Sequence, residues 1–186
     1  MPAIDQARRF LQALGAWSGP HHTFHTFGEG QSDGAPRKED ASLRRILHGT
    51  LDDNSSAFEQ LNERGAAIHV TVNLTDLSGP SEENVIAPRA VCLDFAGPYP
   101  AAVGARPVSM IVRSVRGPHL YWLLEAEQDL PTWAKVQRTL ARRLGGDLNL
   151  SSYQCAMRVP GFTHWKDEPQ LVVLESYQHD VGAWVS

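Results

Sequence analysis

The segment VSMIVRSVRGPHLYWLLEA (residues 108–126) predicts two antiparallel strands joined by a tight turn. Its β-branched and aromatic residues favour pleated structure, and the Arg-Gly-Pro tripeptide between the apolar runs is typical of a turn. Alternation would place His119 and Tyr121 on one face of the sheet and Trp122 on the other. Immediately upstream, RAVCLDFAG (89–97) predicts a further strand whose apolar run ends in a lone acid, Asp94. Strands this close in sequence require hairpins, so the fold class is α+β rather than a doubly wound parallel sheet.

The remaining elements are predicted by working outward from this hairpin. Downstream, PTWAKVQRTLARRLGG (131–146) has the proline start and glycine end of a helix. One apolar face of that helix is expected at Trp133, Val136, Leu140 and Leu144. Periodicity predicts helices over 4–14, 41–50 and 55–65, and strands over 22–28, 66–73 and 169–177. Residues 29–40 and 74–88 are predicted loops, and 147–169 carries mixed signals.

Composition excludes several classes of protein. The chain has 186 residues with 42% hydrophobic and 20% charged residues, which argues for one globular domain and against general disorder. Two cysteines exclude a disulfide scaffold, and neither a long apolar run nor a signal-peptide core is present, so we expect a cytoplasmic protein without a membrane partner.

Charge argues against indiscriminate binding of nucleic acid. The net charge of −4 is unlike the basic balance of a protein that binds nucleic acid regardless of sequence, so such binding would need a local patch. Arginine supplies 14 of the 17 cations, which suits phosphate recognition but also follows from GC-rich coding.

Asp94 and the 114–119 turn are the first candidate site. An acid that ends an apolar strand suits a Mg²⁺ ligand, although it could equally cap the following turn. Ser114, Arg116 and His119 flank the hairpin turn and together could hold a phosphate. The alternative is a half-buried His119 that is hydrogen-bonded to backbone.

Two further candidates lie downstream. Asp147 follows the glycine pair after the long helix, where an acid opposes the helix dipole, although a solvated loop residue is the ordinary explanation. MRVPGFTHWK (157–166) groups Arg158, His164 and Lys166 with aromatic residues around a Pro-Gly turn, which fits a polyphosphate or a nucleic-acid strand. The alternative is a surface loop with a hydrophobic plug. No phosphate-binding GxxxxGK[ST] loop, GxSxG or HExxH motif is present.

In this order the segments resemble the RepB-like primases, a branch of the archaeo-eukaryotic primase superfamily found in plasmids, phages and mobile elements. The resemblance covers roughly residues 60–175. It rests on the acid after a strand, Ser-x(4)-His followed by Tyr-Trp, Gly-Gly-Asp, and Arg-Val-Pro-Gly-Phe-x-His-x-Lys. It implies a primase-polymerase core of two αβ halves, about 1–88 and 89–186, the second similar to an RNA-recognition fold. The active site would lie in the cleft between them.

The resemblance also implies roles for individual residues. Asp94 and Asp147 would be catalytic metal ligands for Mg²⁺ or Mn²⁺. His119 would be a catalytic residue that contacts the incoming triphosphate. The other nucleotide-binding positions would be Ser114, Arg116, Arg158 and Lys166. Nucleoside triphosphates and a single-stranded DNA template would be the partners, with a helicase or another replication protein beside them.

Two positions depart from the family pattern. The first motif has two acids one residue apart, and here the second position is Ala96. Ala96 marks either a naturally degenerate relative or an introduced change that silences activity. Ser152 stands where many relatives have an acid.

Three hypotheses follow from these residues. The first is a DNA primase or primase-polymerase that performs template-directed nucleotidyl transfer. The second is a catalytically dead primase-derived module that binds nucleotide or single-stranded DNA, which Ala96 favours. The third, a metal-dependent nuclease, would not explain the His-Tyr-Trp strand.

Overall fold

The computed structural model describes residues 3–29, 40–105, 107–166 and 168–177. The predicted loop at 29–40 therefore lies almost entirely outside the described residues. The described helices are α1 (Ala3–Leu14), α2 (Leu51–Glu63) and α3 (Leu130–Leu144). The strands of the first half are β1 (His22–Gly28), β2 (Arg45–Gly49), β3 (Ala66–Thr71), β4 (Leu74–Thr75) and β5 (Val85–Ala87). Those of the second half are β6 (Ala90–Asp94), β7 (Met110–Arg113), β8 (Pro118–Leu123), β9 (Ala156–Arg158), β10 (Thr163–His164), β11 (Gln170–Leu171) and β12 (Val173–Tyr177).

Two four-stranded antiparallel sheets form the body of the protein. Their strand orders are β2-β1-β3-β9 and β12-β7-β8-β6, and two-stranded ribbons β4-β5 and β10-β11 flank them. The hairpin predicted from 108–126 is present as β7 and β8, with Val112 opposite His119. These antiparallel sheets with separate helices confirm the predicted α+β class.

The first sheet is apolar on one face and polar on the other. Phe24 of β1 is fully buried, and its ring lies 4.7 Å from that of Phe58 on α2. On the opposite face, His25 Nε2 lies 2.7 Å from Thr71 Oγ1 of β3. Helix α2 begins with a capping box between Thr50 and Asp53, which satisfies N–H groups that would otherwise lack partners.

Helix α3 closes the exposed edge of the second sheet. Strand β6 is an edge strand, and its backbone groups would lack partners on that side. Gln137 Oε1 accepts from Cys92 N at 3.0 Å, and Gln137 Nε2 donates to the carbonyl of the same residue. Trp133 Nε1 donates to Ala90 O at 2.8 Å. The side chains of α3 thus replace a missing neighbouring strand.

Three local predictions were wrong. Residues 41–50 form a 3₁₀ turn (Ala41–Leu43) and strand β2 instead of a helix, because pairing with β1 outweighs a short helical pattern. The predicted face of α3 was wrong in part: Trp133 is buried, and Leu140 and Leu144 pack against the core, but Val136 is 44% exposed. Gln137 and Ala141 are buried although they were not predicted to be. Gln137 faces β6 because its amide group pairs with the backbone of Cys92, so the buried face of the helix is not purely apolar. The predicted loop at 74–88 contains the β4-β5 ribbon.

The division of the chain into halves near residue 88 stays a prediction. The first sheet takes its last strand, β9, from residues 156–158, and α1 contacts β12 near the other end of the described chain. No helix among the described residues is long and apolar enough to cross a membrane.

Candidate functional site

A cavity of about 330 Å³ is lined by residues of both four-stranded sheets. All seven residues proposed from the sequence line it: Asp94, Ser114, Arg116, His119, Asp147, Arg158 and Lys166. These positions span more than 70 residues of sequence, so only the fold brings them together. Their roles stay predictions.

Asp94 and His119 form a cross-strand pair at the end of β6 and the start of β8. His119 Nε2 lies 3.5 Å from Asp94 Oδ1, and the imidazole is almost fully buried. Burial, reinforced by the positive charge of Arg158, lowers the pKa of His119 to about 3. Its Nδ1 has no hydrogen-bond partner among the described residues, which disagrees with the alternative of a histidine satisfied by backbone. At pH 7 the ring is therefore neutral, and it can donate one hydrogen bond but cannot carry a charge.

Asp147 is brought beside Asp94 by the turn that follows α3. Asp147 N donates to Asp94 O at 3.0 Å. A Cβ on Gly146 would lie 3.2 Å from Leu93 Cδ2, so the close approach of this turn to β6 favours glycine. Burial and then the negative charge of Asp147 raise the pKa of Asp94. Asp147 Oδ1 also caps the following 3₁₀ turn by accepting from Asn149 N at 2.9 Å, so the residue has a local structural role as well.

The β7-β8 turn carries Ser114 and Arg116 to the cavity. Ser114 N donates to Gly117 O at 3.0 Å, and Gly97 N donates to Arg116 O at 2.8 Å, which holds the turn against the chain after Asp94. Gly117 has φ 153°, and a Cβ there would lie 2.1 Å from Phe95 O. Only glycine allows this contact between the two segments.

Arg158 enters the cavity from the first sheet. It pairs with His69 in the β3-β9 register, and its Nη2 forms a salt bridge with Glu29 Oε1. Glu29 Oε2 also accepts from Trp165 N at 2.9 Å. His164 is buried, with Nε2 3.5 Å from Glu29 Oε1, whereas Lys166 is exposed at the rim. The 157–166 segment is therefore packed into the protein, since Phe162 is buried against Phe58.

Among the cavity residues that the sequence reasoning missed, Phe27, Glu29 and His69 come from the first sheet and the chain just after it. The rings of Phe27 and His69 are stacked with centroids 4.7 Å apart. Burial, and then the charge of Arg158, lowers the pKa of His69 well below its usual value. Glu29 follows strand HTFHTFG directly, which is the same pattern of an acid after a strand that pointed to Asp94. That signal could have found Glu29.

Ala96 follows Asp94 in a stretch that keeps the pairing register with β8. Phe95 N donates to Pro118 O at 3.2 Å, and Gly97 N donates to Arg116 O at 2.8 Å. Ala96 is therefore two residues beyond Asp94 in a stretch that still pairs with the chain before β8, and its place beside a bound ion stays a prediction. It is exposed and does not line the cavity.

The paired carboxylates fit one hard divalent ion. Mg²⁺ is commonly held by one or two carboxylates with water and phosphate oxygens completing the shell. The raised pKa of Asp94 fits such a site, because a cation would relieve the repulsion from Asp147. Among the described residues no group of three or more His, Cys, Asp or Glu side chains could hold a metal. The donor set suits a partly hydrated ion rather than a fully protein-bound one.

The fold is similar to that of primase and primase-polymerase catalytic domains of known structure. Three solved structures carry this conclusion, each at 17% identity or less. The AEP domain of the cyanophage S-2L primase-polymerase matches with a TM-score of 0.74 and 17% identity, over 95% of this chain and 91% of that one.

The catalytic domain of primase RepB′ in complex with initiator DNA matches with a TM-score of 0.66 and 16% identity, over 95% and 86% of the two chains. A second RepB′ structure gives 0.65 and 13%, over 94% of this chain and 56% of that one. No protein-family model and no curated protein sequence matches this chain. The likeness thus shows a primase-type fold, in agreement with the fold that the sequence motifs predicted.

Proposed function

We propose that this protein is a primase-polymerase that joins nucleoside triphosphates on a single-stranded DNA template. The observation that carries the proposal is that one cavity holds both carboxylates and cations. Asp94 and Asp147, joined by a hydrogen bond from Asp147 N to Asp94 O, line it together with Arg116, Arg158 and Lys166. A metal–triphosphate complex needs both kinds of group, since its cation binds carboxylates and its phosphates bind donors.

Each residue then has a role that its position supports. Asp94 and Asp147 would hold Mg²⁺ or Mn²⁺, and Asp94 gains most because its charge is partly buried and repelled. When bound, such an ion would neutralise phosphate charge and help to activate a 3′-hydroxyl for attack. His119 would donate a hydrogen bond to a phosphate oxygen, and Ser114 would do so from the hairpin turn. Arg116, Arg158 and Lys166 would balance the charge of the triphosphate.

The biological setting follows the same proposal. Replication of a plasmid, phage or mobile element would supply the single-stranded template, and a helicase or another replication protein would act beside this chain. RepB′ was solved with initiator DNA, and a comparable strand would reach this cavity from the open side where Lys166 is exposed.

The test is incorporation of labelled nucleotides on single-stranded DNA, with Mg²⁺ and with Mn²⁺. We expect incorporation to depend on the divalent ion and to be lost in Asp147→Asn. Asp129→Asn is the matched control, because Asp129 caps α3 and does not line the cavity. Incorporation that persists in Asp147→Asn would overturn the assignment of this carboxylate.

A variant at position 96 tests whether a missing carboxylate limits the activity. Ala96 is exposed and does not line the cavity, so the longer side chain of an aspartate there would have to extend toward the ion held by Asp94. We expect Ala96→Asp to raise incorporation with Mg²⁺ by at least about tenfold, equivalent to roughly 1.4 kcal/mol in barrier. No gain in a folded Ala96→Asp protein would contradict the lost-ligand explanation.

A second candidate function is a binding module without catalysis. The alanine at position 96 favours it, because two-metal chemistry needs both ions placed and only Asp94 and Asp147 remain as the proposed metal ligands. In that case the protein would bind nucleotide or single-stranded DNA, while Ala96→Asp and the original chain would both fail to incorporate nucleotides.

A further inference from the structure

We infer that Glu29 is a positioning residue that presents Arg158 to the phosphates of the bound nucleotide. The inference rests on the proposed function and adds to it a residue from the opposite sheet. Glu29 lies just beyond β1, 129 positions before Arg158, and both line the cavity.

The contacts of Glu29 anchor it from several sides. Its backbone N donates to Gly65 O at 3.0 Å, which fixes the chain after β1. One carboxylate oxygen accepts from Arg158 and the other from Trp165 N at 2.9 Å. The side chain of Glu29 is only 5% exposed. A carboxylate bound this way has little freedom to move, so it restricts the guanidinium beside it.

The pairing leaves Arg158 able to bind a ligand. A guanidinium carries five N–H donors in a planar fork, and the contact to Glu29 is made by Nη2. The Arg158 side chain is 15% exposed, against 5% for Glu29, so the arginine is the member of the pair that is more open to the cavity. Because Glu29 holds Nη2, the guanidinium would keep a fixed orientation. Its other N–H groups would still be available to a phosphate.

Charge explains why an acid is placed here at all. Without Glu29, the nearly buried Arg158 would lose the salt bridge that fixes its Nη2 and would be freer to rotate. With Glu29, the guanidinium keeps one orientation before substrate arrives, which reduces the entropy lost on binding. The alternative is that Glu29 competes with phosphate for Arg158, and it predicts the opposite effect on affinity.

The probe is inorganic tripolyphosphate with Mg²⁺, measured by calorimetry on the whole chain without DNA. We expect Glu29→Gln to weaken its binding about tenfold and Arg158→Gln to weaken it at least as much. The double variant should bind no more weakly than Arg158→Gln alone, because Glu29 acts through Arg158. Glu59→Gln, on the exposed face of α2, is the matched control and should leave binding unchanged.

The outcomes separate this inference from the proposed function. Unchanged or tighter binding in Glu29→Gln overturns the positioning role, and so does an additive loss in the double variant, which would indicate a merely structural residue. Each of these leaves the incorporation assay unaffected as a test of primase activity. If Glu29→Gln fails to fold, Glu29→Asp is tested in the same cycle, and it should keep part of the affinity that Arg158→Gln loses. Failure of the original chain to bind tripolyphosphate would overturn both proposals.

Discussion

At position 119 a neutral imidazole lies inside a cavity that we propose for a highly charged ligand. Burial keeps the pKa of His119 at about 3, so the ring contributes a hydrogen bond rather than a positive charge. A bound phosphate would pull this pKa upward, because a nearby negative charge favours the protonated ring. The positive charge of the cavity before a ligand binds therefore comes from Arg116, Arg158 and Lys166.

The first prediction concerns this histidine. His119→Ala should weaken triphosphate binding roughly ten- to a hundred-fold, since a hydrogen bond to a charged group contributes about 1.5–3 kcal/mol. Calorimetric titration with a nucleoside triphosphate and Mg²⁺ measures the change. His48→Ala on β2, which does not line the cavity, serves as the control. Equal affinity in His119→Ala and the original chain would remove His119 from the site.

The second prediction concerns the charge of Asp94. Its folded pKa is raised by burial and by Asp147, so the ionised form is penalised in the folded protein at neutral pH. Asp94→Asn should therefore increase the free energy of unfolding at pH 7 while it abolishes incorporation of nucleotides. The stability gain should shrink as the pH falls through the folded pKa, because Asp94 then becomes neutral as well. Urea unfolding at pH 7 and pH 4.5 checks this; a variant less stable at pH 7 would contradict it.

The chemical type of the site residues was readable from the sequence, and their partners were not. Asp94, His119 and Asp147 stand in short local patterns, which one segment at a time can reveal. Glu29 also follows a strand, but its partners Arg158 and Trp165 lie more than 120 positions away, so its salt bridge could not be predicted from the local pattern. Local patterns therefore found the residues that face the cavity from turns and strand ends, but missed the carboxylate that neutralises one of them.

At the scale of elements, the edge of β6 depends on a polar residue in the middle of α3. Gln137 is fully buried and satisfies both the N–H and the C=O of Cys92. Asp94 lies two residues further along the same strand. The contact of Gln137 with Cys92 therefore also helps to fix the position of this candidate metal ligand.

The third prediction tests this link. Gln137→Leu should lower the free energy of unfolding by roughly 2–5 kcal/mol, because two buried backbone groups lose partners at about 1–3 kcal/mol each. Chemical denaturation measures the loss, and the exposed neighbour Arg138→Gln should change stability by less than about 0.5 kcal/mol. A Gln137→Leu protein as stable as the original would mean that water or a backbone shift replaces the amide.

The same helix shows where element prediction succeeded and failed. The ends of α3 followed from Pro131 and Gly145, since these residues act locally. Its buried face was misplaced because the requirement for Gln137 comes from β6, 45 positions away. Strand β2 was mistaken for a helix for a related reason. Leu43, Ile46 and Leu47 have helical spacing, yet β2 is an edge strand with Ile46 partly exposed, so its side chains do not alternate cleanly.

At the scale of the whole molecule, the cavity exists because two sheets share the chain. Strand β9 leaves the second half of the sequence to pair with β3, and it carries Arg158 toward Asp94 and His119. The motif order predicted the primase-type fold, but the register between β3 and β9 is set by packing that no single segment specifies. Packing the two sheets together also buries histidine side chains, among them His22, His69 and His119.

The last prediction follows from those histidines. Burial, and then Arg89 for His22 and Arg158 for His119, lowers both pKa values to about 3, and burial holds His69 well below its usual value. Between about pH 6.5 and 3 these histidines are protonated in the unfolded chain but stay neutral in the folded protein. Their contribution to the free energy of unfolding is therefore fully present above pH 6.5 and is lost as the pH falls. Two pH units below 6.5, the loss is on the order of 2–3 kcal/mol for each such histidine.

Urea unfolding at pH 7 and pH 4.5 should therefore show a large fall in the free energy of unfolding. His22→Gln should reduce that fall, because glutamine does not titrate, whereas His21→Gln at an exposed position should leave it unchanged. The opposing effect of Asp94, whose raised pKa favours the folded protein as the pH falls, concerns one partly exposed carboxylate and does not offset three buried rings. Equal stability at the two pH values would contradict the prediction, because it would mean that the buried rings are protonated in the folded protein as readily as in the unfolded chain.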